Sequence, residues 1–283
     1  MPSSSACTCG PCPEHGVSRC AVYPSSLSDG QWAVLEPLLP PPGNAGGKGG
    51  RPEKHPRRRV LDAIFYVLRG GIAWAMLPTE FPPRGTVHGL FRRWTDTGVW
   101  SAVHDCLRDR LRIRAGRSAQ PTAAIVDSQT VKSADTVPSE TSGYDGGKKI
   151  KGRKRHIATD TAGLLLVVLV TAASLQDRDA AHRLLALLRA KYSTISLIWA
   201  DGGYAGRLVK WALKVLTFTV DIVKRTDRLP GFKVLPRRWV VERSFGWLIK
   251  HRRLVRDYET RPDTHEAMVT LASIHLMTRR LAS

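Results

Sequence analysis

The strongest constraint on the fold is a change in the spacing of apolar residues near residue 120. Before this point apolar residues recur at helical intervals, as Val60, Ile64 and Val67 do. After it come the strand-like runs "TAAIVDSQTV", "RKRHIATDTAG" and "LLLVVLVTAA", followed by alternating helix and strand patterns. This order predicts an α/β fold with a mixed sheet flanked by helices, preceded by a small helical region.

Composition divides the chain into three predicted segments. Residues 1–26 form a leader rich in Ser, Pro and Gly, residues 27–118 a helical domain, and residues 119–283 the α/β domain. Within the helical domain, residues 40–59 combine proline, glycine and positive charge without apolar periodicity. This stretch is either a solvated linker or an arm that follows nucleic-acid phosphates.

A pair of helices in the first domain resembles a DNA-binding arrangement. "RRRVLDAIFYVLRGG" is the first helix, and "TVHGLFRRWTDTG" is a shorter second helix with Thr86 as its cap. Its apolar stripe leaves Arg92 and Arg93 on the outer side. In a helix-turn-helix the second helix enters the major groove. A basic helical pair with a solvated surface gives the same pattern.

The net charge indicates a polyanionic partner. Lysines and arginines outnumber acids by 44 to 24, which gives a formal charge of +20 and a pI near 10.4. Double-stranded DNA is the expected partner. Six cations in the run 148–156 are predicted to contact phosphates, although a solvated basic loop is the alternative: Lys148, Lys149, Lys151, Arg153, Lys154 and Arg155.

The sequence predicts a protein of the cytoplasm, associated with the nucleoid. Its start has no basic region followed by an apolar stretch, which argues against a secretory signal. The longest aliphatic run, "LLLVVLV", is much shorter than the roughly 20 residues that a membrane-spanning helix needs.

Most of the cysteines lie in the leader. Four of the five cysteines fall within the first 20 residues, and His15 lies among them. Thiolates and an imidazole could bind zinc, but the spacing matches neither a paired CxxC ribbon nor a two-histidine finger. The alternative is a disordered leader without metal. The zinc hypothesis involves Cys7, Cys9, Cys12, His15 and Cys20.

Three acids in the second domain are candidates for one site. Asp127 follows "AAIV", Asp201 follows "SLIWA" and precedes two glycines, and Glu242 lies in a late helix. Open α/β sheets bind ligands beyond strand ends, so the two aspartates could line one crevice. Alternatively, each aspartate is a turn or cap residue, and Glu242 pairs with Arg238 on a solvated helix face.

Three carboxylates brought together would raise one another's pKa unless a cation neutralised them. Hard oxygen ligands suit Mg²⁺ or Mn²⁺. Two such ions could activate a water or a 3′-hydroxyl and stabilise the leaving oxygen of a phosphoryl transfer, without a protein nucleophile. The acids therefore predict metal-dependent phosphoryl transfer.

Several long motifs carry a family resemblance. In chain order they are "LPTEFPPRGTVHGLFRRW", "VDSQTVKSA", "GYDGGKKIKGRKRH", "WADGGYAG" and "RRWVVERSFGWLIKHRRLVRDYE". From about Leu27 onward, the chain closely resembles the DDE transposases of the insertion-sequence-five family. The resemblance implies a ribonuclease H-like catalytic domain in which Asp127, Asp201 and Glu242 bind two metal ions.

The chain departs from the family pattern around the glutamate. Arg238 and Glu242 fit the family's Tyr-Arg-Glu-Lys signature, but Leu235 stands at the tyrosine place and Ile249 at the lysine place. Lys250 lies one position further on. The resemblance and the charge together make Arg238, Lys250 and Arg253 further candidates for DNA binding.

The resemblance implies a transposase that binds the inverted repeats of its insertion sequence, cleaves the element ends and joins the 3′-hydroxyls to target DNA. Holding two ends together implies a homodimer. Two alternatives remain open: a catalytically inactive repressor derived from a transposase, and a metal-dependent nuclease without strand transfer.

Overall fold

The computed structural model describes residues 23–42, 52–223 and 238–283. The zinc hypothesis falls outside these ranges, because Cys7, Cys9, Cys12, His15 and Cys20 all precede Tyr23. Leu235 and residues 43–51 of the proline- and glycine-rich stretch are outside them as well. The predicted domain boundaries at residues 26 and 118 stay predictions.

Four helices make up the N-terminal region. They are α1 (Asp29–Leu35), α2 (Arg57–Gly70), α3 (Arg84–Asp96) and α4 (Val99–Arg114). Helix α1 begins with a capping box, in which the Ser28 hydroxyl accepts from the Gln31 N–H at 3.2 Å and the Gln31 side chain accepts from the Ser28 N–H at 3.0 Å. Helix α2 ends where Gly71 takes a left-handed conformation with φ of 74°.

The predicted cap of α3 is wrong. The helix begins at Arg84, and Thr86 lies inside its first turn. The Pro83 carbonyl accepts from the Thr86 N–H at 2.8 Å and so starts the helix two residues earlier. Residues 71–83 separate α2 from α3, which is longer than the three- or four-residue turn of a helix-turn-helix.

The α/β region contains the predicted mixed sheet. Its described strands are β1 (Ala123–Lys132), β2 (Gly143–Asp145), β3 (Ile150–Thr159), β4 (Leu165–Ala172), β5 (Leu197–Ala200) and β6 (Thr219–Ile222). Their order is β2-β3-β1-β5-β6, and β4 also pairs with β3. Strands β1, β3 and β4 pair antiparallel, whereas β5 pairs parallel with β1 and β6. The β3–β4 turn falls at Asp160–Gly163, as "TDTAG" predicts.

Helices cover both faces of this sheet. Residues of α5 (Asp177–Lys191) and α6 (Arg207–Leu216) share one buried cluster with Ala124, Val126 and Ile198. A second cluster joins Ile125 and Trp199 to α7 (Arg238–Leu248), α8 (Pro262–Leu281) and the N-terminal helices. Side chains alternate between the faces of a strand, so odd-numbered residues of β1 face α7 and even-numbered ones face α5 and α6.

Helix α7 is shorter than the sequence pattern suggests. The helical pattern extends to Glu259, but α7 ends at Leu248 and a short 3₁₀ turn follows at Arg252–Leu254. The reason is tertiary, because Arg253 turns inward and donates to the Glu259 carboxylate at 2.8 Å and to the Ile72 carbonyl at 2.7 Å. Within the described ranges, every helix is too short or too polar to cross a membrane.

Candidate active site

The pairing of β1 with β5 sets two of the predicted acids opposite each other. The parallel register matches Ile125 with Trp199, and β5 ends at Ala200. Continued by two residues, the same register brings Asp127 level with Asp201. The side-chain alternation places Asp127 on the face of the sheet that α7 covers.

The sequence-based location of Asp127 needs a correction. Asp127 does not end its strand, because β1 continues to Lys132 and pairs Asp127 with Ile157 of β3. The neighbour β5 ends instead, and Asp201 follows it directly. The crevice therefore lies beside β1, in the part of the strand beyond the end of β5.

Local hydrogen bonds orient both aspartates. The Asp201 carboxylate accepts from the Gly203 N–H at 2.9 Å and caps the 3₁₀ turn Gly202–Tyr204. The Asp127 carboxylate accepts from the Ser128 N–H at 2.7 Å. These bonds hold each side chain with short local contacts and leave oxygen lone pairs for other partners.

The electrostatics of Asp127 show that Asp201 and Glu242 are close enough to act on it. The pKa of the partly buried Asp127 is raised to about 6, first by burial and also by the carboxylates of Asp201 and Glu242, while the Ser128 N–H and Arg238 oppose the rise. Like charges act this way only at short range. The site is therefore short of positive charge.

Glu242 is more exposed than the aspartates and has its own partner. Its carboxylate accepts from Arg238 Nη2 at 3.1 Å, one helical turn earlier, as the alternative reading of the sequence expected. A Cβ on Gly246, one turn later, would meet nothing within 4 Å. The helix face beside Glu242 is open enough for a large ligand.

The donor set suits a hard divalent cation, although the side chains are not gathered around one. Nowhere in residues 23–42, 52–223 or 238–283 are three His, Cys, Asp or Glu side chains arranged to hold a metal ion. The three carboxylates offer only oxygen ligands, which Mg²⁺ and Mn²⁺ prefer. A cation here would lower the pKa of Asp127 and compete with Arg238 for Glu242.

Tyr204 lies near Asp127, although no role was predicted for it. The ring is 2% exposed and packs in the cluster on the α5–α6 face of the sheet, where its hydroxyl is within hydrogen-bonding reach of Ser128. Burial, together with the carboxylates of Asp127, Asp177 and Asp201, raises the pKa of Tyr204 well above its ordinary value. The tyrosine of "WADGGYAG" was the available signal, but only the fold shows its closeness to Asp127.

The basic run divides into an exposed half and a buried half. Lys148, Lys149 and Lys151 are exposed, as predicted for cations that contact phosphate. Arg153 and Arg155 are 0% exposed, and Lys154 is 7% exposed. The prediction that these last three contact DNA does not hold in this structure, because they bond within the protein.

Each of the three buried cations holds particular elements together. Arg153 donates to Asp257 at 3.0 Å, Arg155 to the Leu254 carbonyl at 2.9 Å, and Lys154 to the Leu175 carbonyl at 2.9 Å. Their alternation along β3 sets Arg153 and Arg155 on one face of the sheet and Lys154 on the other. The run was predicted at the entry to a strand, and its second half lies within β3, where the side chains are buried.

The remaining predicted DNA contacts differ in exposure. Arg253 is 6% exposed and is bonded internally, so its prediction as a DNA contact is also corrected. Lys250 and Arg93 are exposed. Arg92 is partly buried and lies 3.5 Å from Asp96. Arg238 bonds to Glu242 at the acid site.

Comparison with known proteins identifies the family. Residues 118–277, more than half of the chain, match the family model "Transposase DDE domain". The chain belongs to the DDE transposase family. Residues 27–104 match a second model, "Putative transposase of IS4/5 family". The mixed sheet with its flanking helices is the ribonuclease H-like fold consistent with such a domain.

Two curated relatives come from Burkholderia cepacia. This transposase is 33% identical over 117 residues to "Insertion element IS402 uncharacterized 16.2 kDa protein", which covers 38% of this chain and 72% of the relative. It is 32% identical over 127 residues to "Putative transposase for insertion sequence element IS402", which covers 42% of this chain. The second match spans 60% of that relative's length. Transposases act on DNA, and DDE domains generally use divalent metals.

Proposed function

We propose that this transposase binds the terminal inverted repeats of its insertion sequence, cleaves at the element ends and transfers the 3′-hydroxyls to target DNA. The observation that carries the proposal is the β1–β5 register, which sets Asp127 level with Asp201 on the face covered by α7. Helix α7, which covers that face, carries Glu242, and the Glu242 carboxylate contributes to the raised pKa of Asp127. Three acids on separate elements of one crevice are the donor set of metal-dependent phosphoryl transfer.

Asp127, Asp201 and Glu242 would hold the metal, with two ions per site. Bound Mg²⁺ or Mn²⁺ supplies activation of the attacking oxygen and stabilisation of the leaving oxygen. The charge shortage that raises the pKa of Asp127 supports this assignment. A structural acid cluster would instead be neutralised by protein cations.

The chain's own residues position the carboxylates. The N–H groups of Ser128 and Gly203 orient Asp127 and Asp201, and Arg238 restrains Glu242. Tyr204 is neutral at working pH, as an ordinary tyrosine is, and burial raises its pKa further, so its hydroxyl can donate a hydrogen bond near Asp127.

Exposed cations on the β2–β3 turn, on α3 and after α7 would bind the DNA backbone. Lys148 and Lys149 lie in the β2–β3 turn, and Arg93 lies on the outer side of α3. Lys250 follows Ile249 and would stand in for the family's lysine. Cations without base-reading geometry position a duplex through its phosphates. Two element ends held together would require a homodimer.

The test measures DNA cleavage and joining with purified protein. A labelled duplex carrying the element end and an unlabelled target are incubated with Mg²⁺ or with EDTA. We expect metal-dependent cleavage and joined products, and at least about a hundredfold slower cleavage by Asp127→Asn and Glu242→Gln, because metal ligation is lost. Lys214→Ala, an exposed change on α6, is the control.

The products separate this proposal from its alternatives. Binding without cleavage in every condition would favour a repressor derived from a transposase. Cleavage without joined strands would favour a nuclease. Cleavage that survives both acid substitutions would overturn the assignment of Asp127 and Glu242.

A further inference from the structure

A cavity of about 520 Å³ lies at the far end of β1 from Asp127. It is bounded by the end of β1, the segment that follows it, β3 and the segment after α7. Its lining residues include Lys132, Ser133, Asp135, Ser142, Lys151 and Arg256. Nothing in the proposed cleavage reaction uses this cavity.

The lining is positively charged and has unused hydrogen-bonding groups. In the described part of the chain, neither Lys132 nor Lys151 has an acidic partner. Arg256 is fixed by two bonds from its guanidinium to the Ser133 carbonyl, at 3.2 and 2.9 Å. Asp135 is the one acid in the lining, so the cavity keeps an excess of positive charge.

The Ser133 hydroxyl also points to a missing ligand. It is buried, and it has no hydrogen-bond partner among the residues of the described ranges. A buried hydroxyl without a partner costs free energy, so such groups generally mark a bound water, ion or ligand. The β1–β3 register, continued by one residue, sets Ser133 opposite Lys151, so an oxyanion on that side could accept from this hydroxyl and from Lys151, while Lys132 adds positive charge at the neighbouring position.

A buried ion pair makes the cavity walls rigid. Arg153 donates to the Asp257 carboxylate at 3.0 Å and to the Thr141 carbonyl at 3.0 Å. The backbone of Asp257 bonds to Lys132 and to Ala134 at 2.9 and 2.7 Å, which ties it to the end of β1. A site on such a framework is organised before its ligand arrives.

We propose that this cavity binds a backbone phosphate of the DNA whose end lies at the acid site. Lys132 is five residues beyond Asp127, which is about 17 Å along a strand. Successive phosphates of one DNA strand rise by about 3.4 Å along the helix axis, so a duplex whose axis follows β1 would place the bound phosphate about five base-pair steps from the cleaved bond. The identification of DNA as the bound polyanion rests on the proposed function.

The first experiment measures DNA binding without cleavage. Fluorescence anisotropy in EDTA follows the labelled element-end duplex across a range of salt concentrations, with wild type, the double variant Lys132→Gln/Lys151→Gln, and Ser133→Ala. We expect the slope of log affinity against log salt to fall by about 1 for the double variant. Ser133→Ala should weaken binding with an unchanged slope, because it removes a donor but no charge.

A second experiment locates the phosphate. Duplexes with one neutral methylphosphonate at successive positions are compared with wild type and the double variant. We expect the substitution about five steps from the cleaved bond to weaken wild-type binding and to leave the double variant unaffected, since the two changes remove one interaction.

Controls separate this inference from the proposed function. Lys214→Ala removes an exposed charge elsewhere on the chain, and a double variant that binds DNA like Lys214→Ala would overturn the inference. Urea unfolding of each variant guards against misfolding. If the binding effects are found but the wild type does not cleave DNA, only the proposed transposase mechanism is contradicted, because binding is measured without metal.

Discussion

Asp127 lies within β1 and Asp257 lies beside its C-terminal end, and the two aspartates have opposite surroundings. Asp257, bonded to the backbone beyond the end of β1, is 0% exposed and pairs with His265 at 2.8 Å and Arg153 at 3.0 Å. Burial alone would raise the pKa of Asp257, but the bonds to His265 and the charge of Arg153 lower it. Asp127 has no such bonded cation, and its pKa is raised to about 6.

The difference distinguishes a structural acid from a functional one. At the Asp257 end the protein supplies its own counter-charges, so the carboxylate is ionised and fixed. Among the described residues, Arg238 is the cation that lowers the pKa of Asp127, and it is bonded to Glu242 instead. A group left with an unbalanced charge in a crevice is organised for a ligand that the protein does not itself supply.

Breaking the structural pair should have the largest effect on stability. Asp257→Asn leaves the buried Arg153 without its counter-charge, and we expect the free energy of unfolding to fall by about 3–5 kcal/mol. Urea unfolding measures it. The control is Asp263→Asn, which removes an exposed pair with Arg261 and should cost less than about 1 kcal/mol. Equal effects of the two variants would contradict the comparison.

The structural end should also resist added volume. A Cβ on Gly152 would lie 1.9 Å from the Val131 carbonyl oxygen, so the backbone of β1 or β3 must shift. We expect Gly152→Ala to lower the free energy of unfolding by about 1–3 kcal/mol. A neutral result in thermal unfolding would show that this end is less tightly packed than the distance indicates.

Removing the charge of Asp127 should stabilise the protein while it stops cleavage. The pKa of Asp127 is raised in the folded state, so its carboxyl favours folding fully below about pH 3.8 and less as the pH rises towards 6. In EDTA at pH 8, Asp127→Asn should therefore raise the free energy of unfolding by about 1–2 kcal/mol. Thermal unfolding checks this.

The pH series is the internal control for this variant. Near pH 3 the Asp127 carboxyl of the wild type is protonated in the folded and in the unfolded state. The difference in stability between the variant and the wild type should therefore vanish. A variant that is less stable than wild type at pH 8 would mean that Asp127 is a structural acid like Asp257.

The smallest effect is expected at Gly246, on the open helix face beside Glu242. No atom lies within 4 Å of an added Cβ, so Gly246→Ala should raise the free energy of unfolding by about 0.5–1 kcal/mol through lower backbone entropy of the unfolded chain. If DNA occupies this face, cleavage should become slower as stability rises. Unchanged cleavage would place the DNA elsewhere.

The fold class was predictable because periodicity reports local structure. The change from helical spacing to strand runs and the β3–β4 turn both depend on residues close in sequence, and the structure confirms them. The early end of α7 was not predictable, because Arg253 is drawn inward by Glu259 and by the Ile72 carbonyl, almost two hundred residues away in the chain.

The candidate acids were predictable as residue types, whereas their relation was not. The sequence by itself determined a basic chain with three acids in transposase-like motifs and an α/β sheet after a helical region. Tertiary structure decided that Asp127 lies within a strand, that Asp201 comes level with it through the β5 register, and that half of the basic run is buried. Local patterns fix which face a side chain takes, but burial and charge balance depend on neighbours that only folding brings together.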